Sequence, residues 1–420
     1  MASIRKNIDD ILARVNFPLY TVQMLTNRHV LVGGGGGTSK TGVANGFEIF
    51  ELSHDGRKFV AEEVTRHETG GNVVMNCSVF SDNKHSYLVA GQESHCHLYN
   101  VNSVLVREEV DIENIGNNHS EIRQRKPRTK EKTDNNKNIK KRLKFNINPS
   151  DSVQTDFNGP EPLSRVARIN HNGKLLATGG TDGCVRLWKF PSLQPLVVLK
   201  AHQKEIDDVD FSQYGNYLIT IAKDGAAILW DCVKGKENKR LSWKQPEGSK
   251  YLYKRCRFGI VENEKKSALY MLANPTGLAK KQKSYLQQWL PEEGILKKFA
   301  EFDESLSALA VRDDGRFVAV GTMFGGSVLL YVAFSLQCVL NIPGAHSMFV
   351  TGLEFLPAST EKENHTVCSV AEAAVLSISV DNQVCIHTLP YRKTMPLWLG
   401  MVILVFTLFM TFVFCSYVGL

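Results

Sequence analysis

The sequence predicts an all-β fold, a seven-bladed β-propeller, followed by one C-terminal transmembrane helix. The first observation is an internal repeat: Asp182 and Asp224 stand 42 positions apart, each after a short apolar strand and before a glycine. The second is that Trp188 and Trp230 end the strands that follow, with the same spacing. A strand, an Asp-Gly turn and a strand that ends in Trp form part of a propeller blade. The third is the segment 397–420, which contains no charged residue.

Weaker copies of the repeat predict seven blades in all. Their first strands are expected to begin near Tyr20, Asn72, Leu163, Asp207, Leu252, Leu306 and Val350. Seven blades close into a ring and leave no long exposed sheet edge. The gap between the second and third starts is the widest, because it holds a basic insertion. We therefore divide the chain into N-terminal blades (1–103), a disordered insertion (104–150), the remaining blades (151–395) and a membrane anchor (396–420).

The repeat also explains several polar residues. Trp230-Asp231 is the dipeptide that gives WD repeats their name. The hydrogen-bonded tetrad that holds such a blade together is matched by His202, Thr220, Asp224 and Trp230. A second set is matched by His346, Ser377 and Asp381, with His387 in the Trp position. Groups of Ser, His and Asp can resemble catalytic sets, but the repeat places these inside blades, so we predict no catalytic residue.

The most unusual segment is the glycine loop, which we define as residues 33–46. Its candidate contact residues are Gly33, Gly34, Gly35, Gly36, Gly37, Thr38, Ser39, Lys40, Thr41, Gly42 and Asn45. Glycine admits positive φ but costs entropy to order, so a folded domain usually uses such backbone for something. We favour a loop that contacts a protein partner over a plain irregular hairpin loop.

A phosphate-binding loop is the chemical alternative for this segment. The pattern G-x-x-x-x-G-K-[ST] nearly fits, but Ser39 replaces the glycine before Lys40. The pattern also requires a helix N-terminus to hold the phosphate. Residues 47–52 instead alternate apolar and charged side chains, which is typical of a strand.

The C-terminal segment predicts a tail anchor. At about 1.5 Å per residue, residues 397–420 can span a hydrocarbon core of about 30 Å. Trp398 and Tyr417 lie near its two ends, as interfacial aromatic residues do. Arg392 and Lys393 precede it, so the propeller is expected to face the cytosol. Charged residues interrupt positions 1–16, which argues against a signal peptide.

The positive charge is concentrated in the insertion. Residues 123–144 contain eleven Lys/Arg and two Asp/Glu, whereas the whole chain carries a net charge of +7. A solvated loop is the simplest interpretation, and attraction to nucleic acid, nuclear targeting or attraction to anionic lipid are the alternatives. DNA recognition normally needs an element that docks in a groove, so the sequence disfavours nucleic acid as a partner.

At this point the chain resembles a known family, the endoplasmic-reticulum guanine-nucleotide exchange factors for Sar-type small GTPases (the prolactin regulatory element-binding protein family). The similar stretches, besides the glycine loop and the tail anchor, are 17–20, 90–92, 95–96, 153–157, 175–183, 333–338 and 345–346. They cover nearly the whole length except the basic insertion, whose composition differs.

The resemblance implies a specific function. The propeller would bind the GTPase and release GDP, so that GTP can enter and COPII coat assembly can begin at the endoplasmic reticulum membrane. The segment between Gly33 and Asn45 would match the family's K loop, which a potassium ion orders and which contacts the GTPase. No small-molecule substrate is implied. A DNA-binding transcriptional regulator and a WD-repeat scaffold without exchange activity are the alternatives.

Overall fold

The computed structural model describes residues 10–37, 42–82, 84–109, 139–159, 161–261, 267–277, 282–358, 367–391 and 397–418. Within them the chain forms seven four-stranded antiparallel sheets and one long helix, which confirms the predicted fold class. The strands are β1 (Ile11–Arg14), β2 (Leu19–Met24), β3 (His29–Gly35), β4 (Asn45–His54), β5 (Phe59–Glu68), β6 (Asn76–Ser81), β7 (Ser86–Gln92), β8 (His95–Glu109), β9 (Ile139–Gln154), β10 (Ser164–Ile169), β11 (Leu175–Gly180), β12 (Val185–Lys189), β13 (Gln194–Leu199), β14 (Ile206–Phe211), β15 (Tyr217–Ala222), β16 (Ala227–Asp231), β17 (Lys236–Leu241), β18 (Tyr251–Ile260), β19 (Ser267–Pro275), β20 (Ser284–Leu290), β21 (Ile295–Phe302), β22 (Leu306–Val311), β23 (Phe317–Thr322), β24 (Val328–Val332), β25 (Gln337–Ile342), β26 (Val350–Phe355), β27 (Ala373–Ser379) and β28 (Gln383–Leu389).

Each sheet is one blade, and the blades follow one another in chain order. Blade 1 holds β2–β5, blade 2 β6–β9, blade 3 β10–β13, blade 4 β14–β17, blade 5 β18–β21, blade 6 β22–β25, and blade 7 β26–β28 with β1. The first strands of neighbouring blades contact one another all the way round, and β26 returns to β2. The core lies between blades: Leu187 of blade 3 packs in one buried cluster with Ile206 and Leu218 of blade 4.

The ring is closed by a strand that the sequence analysis did not assign. β1 pairs antiparallel with β28, with Ile11 opposite Cys385 and Arg14 opposite Gln383. It therefore supplies the outer strand of blade 7. Four residues without an adjacent turn signal are too short for a pattern of alternation to be recognised.

Blade 2 corrects the predicted insertion, which is too wide at both ends. β8 and β9 form a long hairpin, so residues 104–109 and 139–150 are strand residues and are not disordered. Phe145 and Ile147 are buried, and the Phe145 ring meets the His29 ring edge-on at 4.8 Å. Thr65 Oγ1 of blade 1 donates to Phe145 O at 2.8 Å. Residues 110–138 lie outside the described residues.

The two faces of the ring carry different connections. The turn between the second and third strands of each blade lies on one face with the connections between blades; we call it the loop face, because the glycine loop joins β3 to β4 there. Backbone bonds link its elements: Gly35 N donates to Pro18 O, and Val15 N donates to Asn382 O of the β27–β28 turn. The other turns lie on the opposite face. We call this the anchor face, because β28 ends there at Leu389.

Helix α1 (Leu397–Val418) follows the propeller. Its segment Gly400–Tyr417 is long and apolar enough to cross a membrane, and its side chains are exposed in the isolated chain. This confirms the predicted C-terminal helix. Arg392 and Lys393, on which the predicted orientation depends, lie outside the described residues.

Candidate functional site

The glycine loop is shorter than the glycine run suggests. Gly33, Gly34 and Gly35 belong to β3, where Gly35 pairs with Asn45 at the start of β4. These three glycines are buried in the isolated chain, and their contact with a partner stays a prediction. The open connection is residues 36–44, of which Thr38, Ser39, Lys40 and Thr41 lie outside the described residues.

Close approach of backbone explains why β3 ends in glycine. A Cβ on Gly34 would lie 1.9 Å from Pro18 O, a backbone atom that cannot move away cheaply. A Cβ on Gly35 would lie 2.0 Å from Asn45 Oδ1, and the φ of Gly35 is +148°. Only glycine fits at such contacts and at such a φ. The first three glycines of the run therefore allow close packing of β3, and only Gly36 and Gly37 belong to the open connection.

Asn45 holds the base of the open connection. Its side chain is buried, with 4% exposed. Asn45 Oδ1 accepts from Gly37 N at 3.0 Å, while Nδ2 donates to Gly37 O at 3.2 Å and to Gly70 O at 2.9 Å. Asn45 thus ties the glycine loop to the connection between β5 and β6. In the isolated chain it is a positioning residue of the loop, and its contact with a partner stays a prediction.

The phosphate-binding alternative is contradicted by the element that follows the loop. β4 begins at Asn45 and pairs along its length with β3 and β5. A strand presents no row of free helical N–H groups to a phosphate. The near match around Lys40 therefore lacks the structural context that the motif needs.

The donor atoms at the loop base fit a monovalent cation in kind. Residues 33–46 contain no acidic side chain, so the available ligands are neutral carbonyl and hydroxyl oxygens. Gly37 O from this range and Gly70 O from the β5–β6 connection both accept from Asn45 Nδ2, so they lie close together. Neutral carbonyl oxygens suit potassium, whereas a divalent ion such as calcium usually takes carboxylates.

The predicted tetrad of blade 4 is brought together by the structure. His202 Nδ1 lies 3.1 Å from Asp224 Oδ2, and His202 Nε2 lies 2.8 Å from Thr220 Oγ1. Trp230 Nε1 donates to Thr220 Oγ1 at 3.0 Å. Burial lowers the pKa of His202, so the ring is neutral, with Nδ1–H facing the carboxylate. The network joins the connection before blade 4 to the turn between β15 and β16.

Blade 7 carries the second set with one substitution. His346 Nδ1 lies 3.1 Å from Asp381 Oδ1, and its Nε2 lies 2.8 Å from Ser377 Oγ. His387 Nε2 takes the place of the Trp nitrogen, 2.8 Å from Ser377 Oγ. Burial and the neighbouring His346 lower the pKa of His387 to about 3. Ser377 and Thr220 are fully buried, so neither hydroxyl can present itself to a substrate.

The loop face also exposes apolar side chains that the sequence analysis missed. Phe324, in the β23–β24 turn, is 79% exposed, and Met348 and Phe349, between β25 and β26, are 49% and 38% exposed. The two segments are joined by a bond from His346 N to Gly326 O at 3.0 Å. Exposure at a turn depends on the fold, so no local pattern could have identified them.

Comparison with known families places the clearest similarity in blades 3 and 4. The WD domain, G-beta repeat, matches residues 151–189 and 193–231. Each match begins in the outer strand of one blade and ends with the third strand of the next, so the sequence repeat is offset by one strand from the structural blade.

Similarity to whole proteins covers most of the chain. The chain is 34% identical over 398 residues to a mouse protein named guanine nucleotide-exchange factor SEC12, and the alignment covers 92% of both chains. The rat protein of the same name is 33% identical over the same shares. SEC12-like protein 2 of Arabidopsis thaliana is 28% identical over 195 residues, or 46% of both chains.

Proposed function

Because the chain belongs to the SEC12 family of guanine nucleotide-exchange factors, we propose that it releases GDP from a Sar-type small GTPase at the endoplasmic reticulum membrane. Loading with GTP would then start COPII coat assembly for transport to the Golgi. The observation that carries the proposal is the similarity along nearly the full length of relatives named for nucleotide exchange. The Asn45-held loop gives this activity a candidate contact site.

The contact site is the loop face around the open part of the glycine loop. Asn45 bonds to Gly37 at the start of the connection and itself begins β4 at the end, so the base of the connection is fixed. Fixing a glycine-rich segment before binding lowers the entropy that association would otherwise cost. Phe324 and Met348 add exposed apolar area on the same face. Aromatic residues and methionine are enriched at the centres of protein–protein interfaces.

Exchange of this kind needs no covalent chemistry. A protein that binds the nucleotide-free GTPase more tightly than the GDP-bound form shifts the population towards the empty state, and GTP then replaces the factor. The tetrad residues take no part in this step, because they lie inside blades 4 and 7 and bond to one another. Their contribution is the rigidity of the ring that presents the loop.

A potassium ion would fit this scheme as an ordering ligand of the loop. The oxygens that would hold it are neutral atoms between Gly33 and Asn45 and, by position, Gly70 O. The ion would supply a positive centre that offsets the entropy of ordering the segment. Replacing potassium by lithium at constant ionic strength should then slow exchange.

Residues 397–420 would anchor the propeller as a single span with the propeller in the cytosol. The support is the length and apolarity of α1 together with Arg392 and Lys393 before it. Protease added to intact microsomes should digest the propeller. Protection of residues 1–390 would reverse the orientation.

The decisive experiment measures GDP release from a purified Sar-type GTPase with the full chain as catalyst. Asn45→Ala should slow release at least tenfold, because the loop loses its base. Since Asn45 is buried, the variant should also lose about 1–3 kcal/mol of stability, so rates are compared per folded molecule. Asn216→Ala is the matched control: an exposed asparagine on the anchor face, expected to leave release unchanged.

The outcomes separate the alternatives. Normal release with Asn45→Ala would remove the loop from the mechanism while leaving the activity. No release with the wild-type chain would favour a scaffold, and salt-resistant, sequence-selective DNA binding would favour the transcriptional regulator.

A further inference from the structure

We infer that the anchor face of the propeller rests on the membrane surface, with the turn-tip side chains of Tyr214, Val233 and Phe334 seated among the lipid headgroups. The inference depends on α1 crossing the bilayer and is independent of nucleotide exchange. It assigns these three residues a binding role that the WD-repeat fold does not require.

The segment between the propeller and α1 is short. β28 ends at Leu389 on the anchor face, opposite Ala373 of β27, and α1 begins at Leu397. Seven residues separate them, and a chain of that length spans at most about 25 Å. When α1 lies in the bilayer, the anchor face of blade 7 must therefore stay within about that distance of the headgroups.

The second step is the chemistry of the tips. Tyr214 lies in the β14–β15 turn and Val233 in the β16–β17 turn, and both turns belong to the anchor face of blade 4. Phe334 lies in the β24–β25 turn of blade 6. Their exposed fractions are 62%, 84% and 69%. Exposed apolar area costs roughly 25 cal/mol per Å² relative to burial, and aromatic side chains favour the membrane–water interface.

The third step is placement around the ring. Blade 6 is next to blade 7, which carries the anchor, and blade 4 is three blades away, across the ring. The helix and the two blades therefore give three separated points of support. Three points define a plane, so the anchor face would lie flat on the bilayer and would not hinge freely on its short tether.

The charges near the tips agree with headgroup contact without dominating it. Lys234, next to Val233, has a side chain that is 74% exposed. Lys298 Nζ lies 4.8 Å from the centre of the Phe334 ring and donates to Phe334 O at 2.9 Å. The same face also carries acidic turns, such as Glu292-Glu293. We therefore expect apolar insertion to decide binding, with little dependence on anionic lipid.

Hydroxyl-radical footprinting of the full chain tests this directly, because aromatic side chains react when water reaches them. The chain is compared in detergent and in nanodiscs of phosphatidylcholine, alone or with phosphatidylserine. Oxidation of Tyr214 and Phe334 should fall at least threefold in both kinds of nanodisc. Phe324 and Phe157, exposed on the loop face, are internal controls and should keep their reactivity.

A variant with negative charge at the turn tips of the anchor face tests the role of their apolar side chains, and the same change on the loop face is its control. Val233→Asp/Phe334→Asp should restore the reactivity of Tyr214 in nanodiscs, whereas Phe324→Asp, an equally exposed phenylalanine on the other face, should not. Full reactivity of Tyr214 and Phe334 in loaded nanodiscs would overturn the inference, and so would protection only with phosphatidylserine. Failure of α1 to enter nanodiscs would overturn the anchor itself, whereas exchange by the detergent-solubilised chain would still report on the proposed function.

Discussion

Blades 1 and 4 have the same four-stranded frame but fix their loop-face ends in different ways. In blade 4, Thr220 and Trp230 belong to the tetrad that closes the end with a short Asp-Gly turn. By register, the equivalent positions of blade 1 are Val32 and Phe50, whose side chains form no hydrogen bonds. Asn45 holds this end instead, by bonds to the loop and to the next connection. A blade can thus replace its closing network by one amide and gain room for a long connection.

Blade 1 also holds a buried carboxylate in the middle of its third strand, where blade 4 has an apolar side chain. Glu48, 1% exposed, takes the position that Ile228 occupies in blade 4. Its carboxylate lies 2.7 Å from an Arg66 nitrogen, although the angle does not meet hydrogen-bond geometry and Glu48 Oε1 has no other partner. Burial raises the pKa of Glu48, and Arg66 opposes the shift. At this position blade 1 therefore carries the cost of burying a carboxylate, which Ile228 spares blade 4.

The largest effect on stability is expected from glycine at the loop-face end of blade 1. Gly34→Ala places a Cβ 1.9 Å from Pro18 O and should cost about 3 kcal/mol or more. Gly225→Ala, in the turn of blade 4, meets nothing closer than 3.4 Å and strains only a φ of +87°, so about 1–2 kcal/mol is expected. Thermal unfolding measures both.

Gly71→Ala is the control for this pair, because nothing lies within 4 Å of its added Cβ. Equal losses for Gly34→Ala and Gly225→Ala would mean that the close packing of β3 against Pro18 is not a distinguishing feature of blade 1.

The next effect is expected in the tetrad. Asp224→Ala leaves His202 Nδ1–H, Gln203 N and Ala226 N without their acceptor. The expected loss is about 1–3 kcal/mol, seen as a lower melting temperature with exchange per folded molecule retained. Asp303→Ala, which removes a largely exposed partner of Lys283, should change little. Lost exchange at an unchanged melting temperature would make blade 4 a contact site.

In blade 7 we expect an effect of pH on stability. The folded-state pKa of His387 is about 3, below the usual 6.5, so only the unfolded chain takes up its proton between those values. Stability from this residue is complete above pH 6.5 and is lost as the pH falls towards 3. His387→Phe should make the fall in unfolding free energy shallower, by up to about 1.4 kcal/mol per pH unit.

Chemical unfolding at pH 7, 6 and 5 measures this slope. His85→Phe, at a side chain that is 62% exposed, is the surface control for the same substitution. An unchanged slope in His387→Phe would mean that His387 is protonated in the folded blade.

The smallest effect is expected at Glu48. Because burial raises its pKa, the folded state prefers the neutral carboxyl, and stability falls as the pH rises above the unfolded value of about 4.5. Glu48→Gln should therefore raise the melting temperature slightly at pH 7 and not at pH 4. A markedly lower melting temperature at pH 7 would show that the Glu48–Arg66 pair stabilises blade 1, as the tetrad stabilises blade 4.

The blades could be predicted from the sequence because their turns are chemically explicit. Gly183 and Gly225 follow aspartates at positions of positive φ, and the strands around them alternate or are continuously apolar. The β8–β9 hairpin was missed because its basic residues outnumber the alternating Leu143, Phe145 and Ile147. Its burial against blade 1 is a long-range contact, which a local pattern does not contain.

The candidate site was predictable in position and not in detail. Glycine has low strand propensity, so Gly33–Gly35 were assigned to the loop, whereas packing against Pro18 keeps them in β3. Asn45 was identified through the family resemblance as a contact residue. Its bond to Gly70, 25 positions away, follows from the pairing of β4 with β5, which places Glu68 opposite Gly46.

The pairing of β1 with β28 determines how the ring carries mechanical load. With α1 held in a membrane, tension on the helix would enter the propeller through Leu389 and act along β28, which runs towards the anchor face. β28 is not an edge strand: β27 lies on one side and β1 covers Gln383 to Cys385 on the other. Tension along a strand bonded on both sides shears many hydrogen bonds at once, whereas an edge strand would peel off one bond at a time. Pairing with β1 thus strengthens β28 against tension from α1.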